Sequence, residues 1–426
     1  MTAAPDWSVR RFLELRAATC ALADPLSEAD AQAQSMPDAS PVKWHLAHTT
    51  WFFETFVLEP HEPGFRPHHP AYRVLFNSYY NGIGEQHARA QRGLVTRPGL
   101  AEVLAYRRAV DERVASLLAR DPPGPALEML TLGLHHEQQH QELILTDVLH
   151  LLSCNPLRPA YRAPSPTPRR SAPPLEWIEF DGGRVEIGHD GHGFAFDNEQ
   201  PRHPRLLAPH ALANRLVTQG EWLAFIDDGG YADPRWWLSA GWDWVRAQRV
   251  EAPLYWQRDA AQGWQRFTLA GLTALDIDAP VLHVSLYEAD AYARWTAAHS
   301  NTPCRLPTEA EWESAAAALA PAALQEGNLA EDGLLRALPA RAGPGLRQMF
   351  GDAWEWTRSA YEPYPGYRPW AGAAGEYNGK FMIDQQVLRG GSFATPRSHI
   401  RASYRNFFPA AARWQFSGLR LARDLA

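Results

Sequence analysis

The run Leu134-His135-His136-Glu137-Gln138-Gln139-His140-Gln141-Glu142 sets imidazoles beside acid–base side chains. His136 and His140 stand four residues apart. On an α-helix that spacing puts both rings on one face, with Cβ atoms about 5–6 Å apart, which suits two adjacent positions on one metal ion. Gln139, three residues after His136, points the same way. Two chemistries fit. His-Glu-Gln-Gln-His is the short zinc-peptidase pattern, with Glu137 as general base. It is equally two ligands of an iron site that keeps positions open for dioxygen and substrate. A polar helix face in solvent is the plain alternative. The extended metzincin form is excluded, because Leu143 and Thr146 stand where it needs Gly and His.

These residues need helices to hold them. Leu127, Leu130, Leu134, Leu143, Ile144, Val148 and Leu151 recur at helical spacing, which predicts a helix over 125–153. Three more precede it. Residues 6–24 carry an apolar stripe of Phe12, Leu13, Leu15, Ala18 and Leu22. Residues 36–60, with Ser40-Pro41 as cap and first-turn proline, put Trp44, Ala47, His48, Trp51, Phe52, Thr55 and Phe56 on one face. Residues 99–120 form the third, ended by Asp121-Pro122-Pro123-Gly124. Four long helices with one large crossover make a bundle, where metal sites arise from facing helices. His48 lies inside an apolar stripe, where a histidine is either a satisfied core residue or a ligand. The crossover, 59–98, carries Tyr79-Tyr80 and Arg89, Arg92 and Arg97. A connection of that length is functional or disordered, and its aromatic content speaks against disorder. Packing against the bundle is the plain reading of the tyrosines, and a solvated face that of the arginines.

Residues 155–175 contain seven prolines and read as a semi-rigid linker. The expected organisation is a bundle over 1–154, this linker, and a second domain over 176–426. There the texture changes to short β-prone runs (177–180, 184–187, 387–389) with helical inserts near 218–228 and 286–299. A capping box opens another helix at Thr308. The second domain is therefore α+β.

A net charge of −7 argues against a general nucleic-acid binder. Cys20, Cys154 and Cys304 form no pair motif, which fits a reducing compartment. The N-terminus has no apolar signal region. No run of 18 apolar residues exists, so no membrane span is expected. The expected location is the cytoplasm.

Three blocks, Arg305-Leu-Pro-Thr-Glu-Ala-Glu-Trp-Glu313, Gly351-Asp-Ala-Trp-Glu-Trp356 and Leu388-Arg-Gly-Gly-Ser392, resemble the formylglycine-generating-enzyme (sulfatase-modifying factor) fold, a C-type-lectin-like domain. Formylglycine chemistry needs two cysteines near the C-terminus, and the segment Gly391 to Gly418 has none. The N-terminal bundle resembles the DinB-like domain. The pairing is similar to the ergothioneine-pathway sulfoxide synthases and to the selenoneine synthases of the same architecture. Ser40-Pro-Val-Lys-Trp-His-Leu-Ala-His48, the His136 tract and Tyr404-Arg-Asn-Phe-Phe408 with Gly418-Leu-Arg-Leu-Ala-Arg423 carry it.

The resemblance implies a non-haem Fe(2+) site held by His48, His136 and His140. It implies hercynine (Nα-trimethylhistidine), dioxygen and a thiol or selenol donor as small-molecule partners. Gln139 falls where the imidazole of hercynine is contacted. Asn406, Phe407 and Phe408 fall around its trimethylammonium and carboxylate groups, which suits aromatic faces. Tyr79 and Tyr80 match a catalytic tyrosine pair, and Arg89 and Arg92 a donor-carboxylate site. Glu142 is a candidate to orient a ligand histidine. Gly84-Glu85-Gln86-His87 departs from the relatives' Gly-Pro-Arg-His, and Ile383 and Phe393 stand where cysteines are frequent. The donor is therefore read two ways: a cysteine-type thiol giving a C–S bond, or a selenosugar giving a C–Se bond. A zinc peptidase and a non-catalytic ligand-binding module are the rival classes.

Overall fold

The computed structural model describes residues 8–120, 122–164, 166, 170–300 and 302–425. Residues 6 and 7 of the expected first helix, Asp121, and linker residues 165 and 167–169 lie outside them. The chain divides into two compact units.

The first unit comprises the chain up to Arg162 with two later segments, His192–Phe194 and Trp370–Tyr377. Its long helices are α1 (Val9–Ala21), α3 (Val42–Phe53), α4 (Leu100–Leu118) and α5 (Gly124–Cys154), with a short α2 (Glu28–Gln32) after the first. Ser8 caps α1 by accepting from the Arg11 N–H, and Ser27 caps α2 within a capping box. Both α1 and α3 pack against α4 and α5. Every residue of α3 is buried, so it is the central helix of the bundle.

The expected helix over 36–60 is corrected at both ends. It begins at Val42, with Pro41 as N-cap and no side-chain cap. Ser40 is drawn away instead: its N–H donates to Asp147 Oδ2 at 2.8 Å, and its hydroxyl accepts from Arg92 at 2.9 Å. After Phe53 the helix widens into a π-helical stretch, Glu54–Leu58. The buried Glu54 carboxylate there accepts from Tyr106 Oη at 2.6 Å and from the His68 N–H at 2.7 Å, which ties the crossover down at its start.

The crossover itself is ordered around Asn77. Its side chain donates to the carbonyls of Tyr80, Gly84 and Glu85 and accepts from the Tyr80 N–H. One buried amide thus closes the loop that carries both tyrosines.

The second unit is built on small sheets. A three-stranded sheet has the order β1 (Trp177–Phe180), β4 (His210–Ala213), β12 (Ala422–Asp424), all antiparallel. A four-stranded sheet runs β10 (Asn406–Phe408), β9 (Gln386–Arg389), β8 (Trp354–Ala360), β11 (Ser417–Gly418), with only the last pair parallel. Two hairpin sheets complete it: β2 (Gly183–Ile187) with β3 (His203–Leu207), and β5 (Trp256–Asp259), β6 (Gly263–Thr268), β7 (Gly271–Ala274). Helices α6 (Gln219–Asp227), α7 (Ser239–Gln248), α8 (Leu286–Ser300) and α9 (Glu309–Leu319) accompany them. The capping box at Thr308 is present.

The sequence blocks of this unit are internal cross-links. Arg389 meets Glu309 at 3.0 Å and Glu313 at 2.8 Å, Arg405 meets Glu309 at 3.0 Å, and Arg420 meets Glu355 at 2.9 Å, all buried. Burial alone would raise the Glu309 carboxyl, but Arg405 and Arg389 outweigh it and hold it below the usual range. The motif charges therefore specify fold rather than chemistry. Among the described residues no helix is long and apolar enough to cross a membrane.

Candidate metal centre

Helices α3 and α5 bring His48, His136 and His140 together, with one ring nitrogen of each within 4.8 Å of the others. All three are buried. His48 Nδ1 lies 2.6 Å from the Phe76 carbonyl. A carbonyl only accepts, so His48 carries its proton on Nδ1 and presents a bare Nε2. That Nε2 is 3.2 Å from His136 Nε2. Two nitrogens at right angles, each about 2.1 Å from one ion, lie about 3 Å apart, so the spacing fits two ligands of one metal. His136 Nδ1 has no hydrogen-bond partner.

Desolvation holds the triad in the neutral, ligating form. Burial pushes His136 down to about 3, with the neighbouring His45 adding to it against the pull of Glu137. His48 is pushed well below its ordinary value by burial first and by His136 next, and His140 likewise.

His48 is fixed on both faces. The Trp44 ring stacks on it at 4.6 Å and 11°, and Trp51 at 5.5 Å and 18°. Positions 44, 48 and 51 share a helix face, which is why an imidazole could sit in an apolar stripe. Phe52 packs on His136 at 4.7 Å. Gly133, one turn before His136, lets α5 approach closely: a Cβ there would lie 2.6 Å from Phe53 Cε1 and 3.0 Å from the Phe52 ring.

Glu137 overturns the peptidase reading. It is wholly buried and turned to the other side of α5, paired with Arg16 at 2.7 Å and with Arg107. Burial would raise its carboxyl, but Arg107 and Arg16 hold it below the usual range. A carboxylate locked between two guanidiniums cannot act as general base beside the histidines.

The expected tyrosines divide. Tyr80 is fully buried against Phe56 (5.2 Å), Trp51 (5.6 Å) and Phe52 (6.4 Å), and its phenol is pushed well above its ordinary value by burial first and Tyr79 next. Tyr79 is half-buried and stacks on Tyr80 at 4.8 Å. The tyrosine beside the triad is Tyr377, whose ring lies 5.6 Å from His136 and 6.5 Å from Tyr79. Its hydroxyl donates to Gln139 Oε1. The adjacent Glu376 carboxylate accepts the N–H groups of Asn81 (2.9 Å) and Gly82 (2.6 Å). Tyr377 was missed because it follows a 3-10 turn (Gly372–Glu376) with no periodicity to flag it. Its one signal is the aromatic content of that loop.

Arg92 is buried, with its guanidinium carbon 3.4 Å from the Trp44 ring centre. It bonds Ser40 Oγ rather than a carboxylate, and its Nε has no partner. Burial first, then Arg89, pulls it down to about 9. Arg89 is exposed and donates to the Asp38 carbonyl. Asn406, Phe407 and Phe408 form β10 of the second unit, partly exposed. Phe407 stacks on Tyr361 at 4.0 Å, and Phe408 lies 5.8 Å from Trp414.

Residues 11–144 match the DinB superfamily, and residues 161–330 and 337–425 the sulfatase-modifying factor enzyme 1-like domain. The chain is 34% identical to the hercynine oxygenase of Mycolicibacterium thermoresistibile, over 98% of this chain and 94% of that one. It is 32% identical to the hercynine oxygenase of Mycobacterium tuberculosis, over 99% of each. It is also 32% identical to that of Mycolicibacterium smegmatis, over 93% and 94%. The similarity runs end to end through both domains, and the chain belongs to the hercynine oxygenase family of oxidoreductase enzymes.

Proposed function

We propose that this enzyme uses ferrous iron and dioxygen to attach sulfur or selenium to the imidazole carbon of hercynine, between the two ring nitrogens. One observation carries the reading: three neutral buried imidazoles, with the bare Nε2 of His48 at metal-ligand spacing from His136 Nε2, in a chain of this family. His48, His136 and His140 would hold the iron, which when bound supplies activation of dioxygen and a position for the chalcogen. Aromatic walls from Trp44, Trp51 and Phe52 keep bulk water from the ligand nitrogens.

The other residues bind, orient and hold protons. Gln139, already hydrogen-bonded by Tyr377, would orient the substrate imidazole. Tyr377 holds a phenolic proton beside His136, with Tyr79 and Tyr80 in file behind it. Asn406, Phe407 and Phe408 are assigned to the trimethylammonium and carboxylate end of hercynine, for which aromatic faces are suited.

Two donor readings each rest on an observation. The buried, carboxylate-free guanidinium of Arg92, seconded by Arg89, favours an anionic cysteine-type thiol. Glu85 and Gln86, exposed on the crossover, add an acid and remove a base there, which favours a neutral selenosugar. The test is to supply anaerobically iron-loaded enzyme with hercynine and dioxygen, offer cysteine, γ-glutamylcysteine and a selenosugar separately, and weigh the products. With the thiol donors the expected product is the sulfoxide, hercynine plus the thiol plus one oxygen less two hydrogens, the second oxygen leaving as water; with the selenosugar it is an adduct that carries the selenium. Hercynine recovered unchanged with every donor sinks the proposal.

A further inference from the structure

His45 shares α3 with His48, three residues earlier, yet it turns to the outer side of His140. His45 Nδ1 lies 2.8 Å from His140 Nδ1, and His45 Nε2 lies 3.0 Å from Asp147 Oδ2. The same carboxylate oxygen accepts the Ser40 N–H at 2.8 Å. All members of this chain are buried, and the triad reading uses neither His45 nor Asp147.

The direction of the protons follows from the outer end. An ionised carboxylate only accepts, so His45 carries its proton on Nε2. A neutral His45 then has a bare Nδ1, which accepts from Nδ1–H of His140. His140 is left with its lone pair on Nε2, the nitrogen turned away from His45. The other two triad members are supported differently: His48 by a backbone carbonyl, His136 Nδ1 by nothing. Of the three, His140 alone is linked through hydrogen bonds to a carboxylate.

We infer that Asp147 and His45 form a positioning relay that fixes the tautomer of His140 and makes it the strongest donor of the three ligands. This rests on the reading of the triad as a metal site. A carboxylate–histidine pair behind a ligand is a known way to raise ligand basicity; here one imidazole is inserted between the carboxylate and the ligand. Asp147→Asn keeps the shape and removes the charge. His45→Leu removes the acceptor, and His45→Gln restores an acceptor of similar reach.

The test is titration of the metal-free full-length protein with Co(II) under nitrogen, following the ligand-field absorption bands. Wild type is expected to bind stoichiometrically and His136→Ala not at all. Asp147→Asn and His45→Leu should bind about 10–100-fold more weakly with shifted bands, and His45→Gln should recover most of the affinity. Circular dichroism melts check folding, and Asp147→Asn keeps the inference testable if His45→Leu does not fold. Wild-type affinity and spectrum in folded Asp147→Asn would overturn the relay while leaving the metal site standing. Absence of binding by wild type would instead remove the metal reading, and the relay with it.

Discussion

Successive side chains on an α-helix are about 100° apart, and at His136 and Glu137 that rotation separates a triad imidazole from a structural charge. His136→Ala should abolish metal uptake, measured on purified protein, while urea unfolding stays cooperative. Glu137→Ala should do the reverse and destabilise the bundle. It strands two buried guanidiniums, and breaking a buried ion pair costs about 3–5 kcal/mol. A Glu137→Ala protein as stable as wild type would show that the charge cluster is dispensable. His136 and His140 were legible because the four-residue spacing has one geometric meaning on a helix. Glu137 was not: the sequence does not say which arginines fold against it. Tyr377 was illegible for a different reason, since it lies 238 positions from its partner Gln139 with no regular element to announce it. Replacing Tyr79, Tyr80 and Tyr377 singly by Phe should lower bond formation relative to uncoupled donor oxidation in at least one variant, metal content unchanged. Unaltered product ratios in all three would remove the phenols from the chemistry.

Elements were easier to read than their contacts. The four long helices, the strands at 177–180 and 184–187 and the capped helix after Thr308 all follow from periodicity and cap chemistry. Ser40-Pro41 is a good helix-start signal, but Asp147 and Arg92 recruit the serine, so α3 starts at Val42 instead. Helix α7 was missed among its tryptophans. The approach of α5 to α3 at Gly133 sets where His136 meets His48. Alanine is the better helix former by about 1 kcal/mol, yet a Cβ 2.6 Å from Phe53 forces the helices to move. Gly133→Ala should therefore lower stability by about 1–3 kcal/mol and weaken metal affinity, read by thermal melting and metal titration. An unchanged or raised melting point would show that the two aromatic rings can retreat at no cost.

For the chain as a whole, buried imidazoles make stability depend on pH. In the second unit burial first, then Arg266, pushes His283 from 6.5 to about 3, and burial with Arg401 pushes His399 well down. Below 6.5 the unfolded chain takes up protons that the folded one refuses, so this contribution is lost as pH falls through 6.5 toward 3. Asp352 works in the opposite sense: burial raises it to about 6 against three donated hydrogen bonds, so it favours the folded state as pH falls through that value. His283→Gln isolates one group. The unfolding free energy of wild type relative to this variant should shrink by about 2 kcal/mol between pH 7 and pH 5, from urea curves at both. A constant difference would mean that His283 is not held neutral.

The segment ending at Tyr377 belongs to the helical unit although it lies deep in the other domain's stretch of sequence. A gene fragment cut at Arg162 would therefore encode all three imidazoles and none of the phenol that adjoins them. Recombination that shuffled the front half onto another partner would carry away the three buried imidazoles and leave behind the ring that packs on His136.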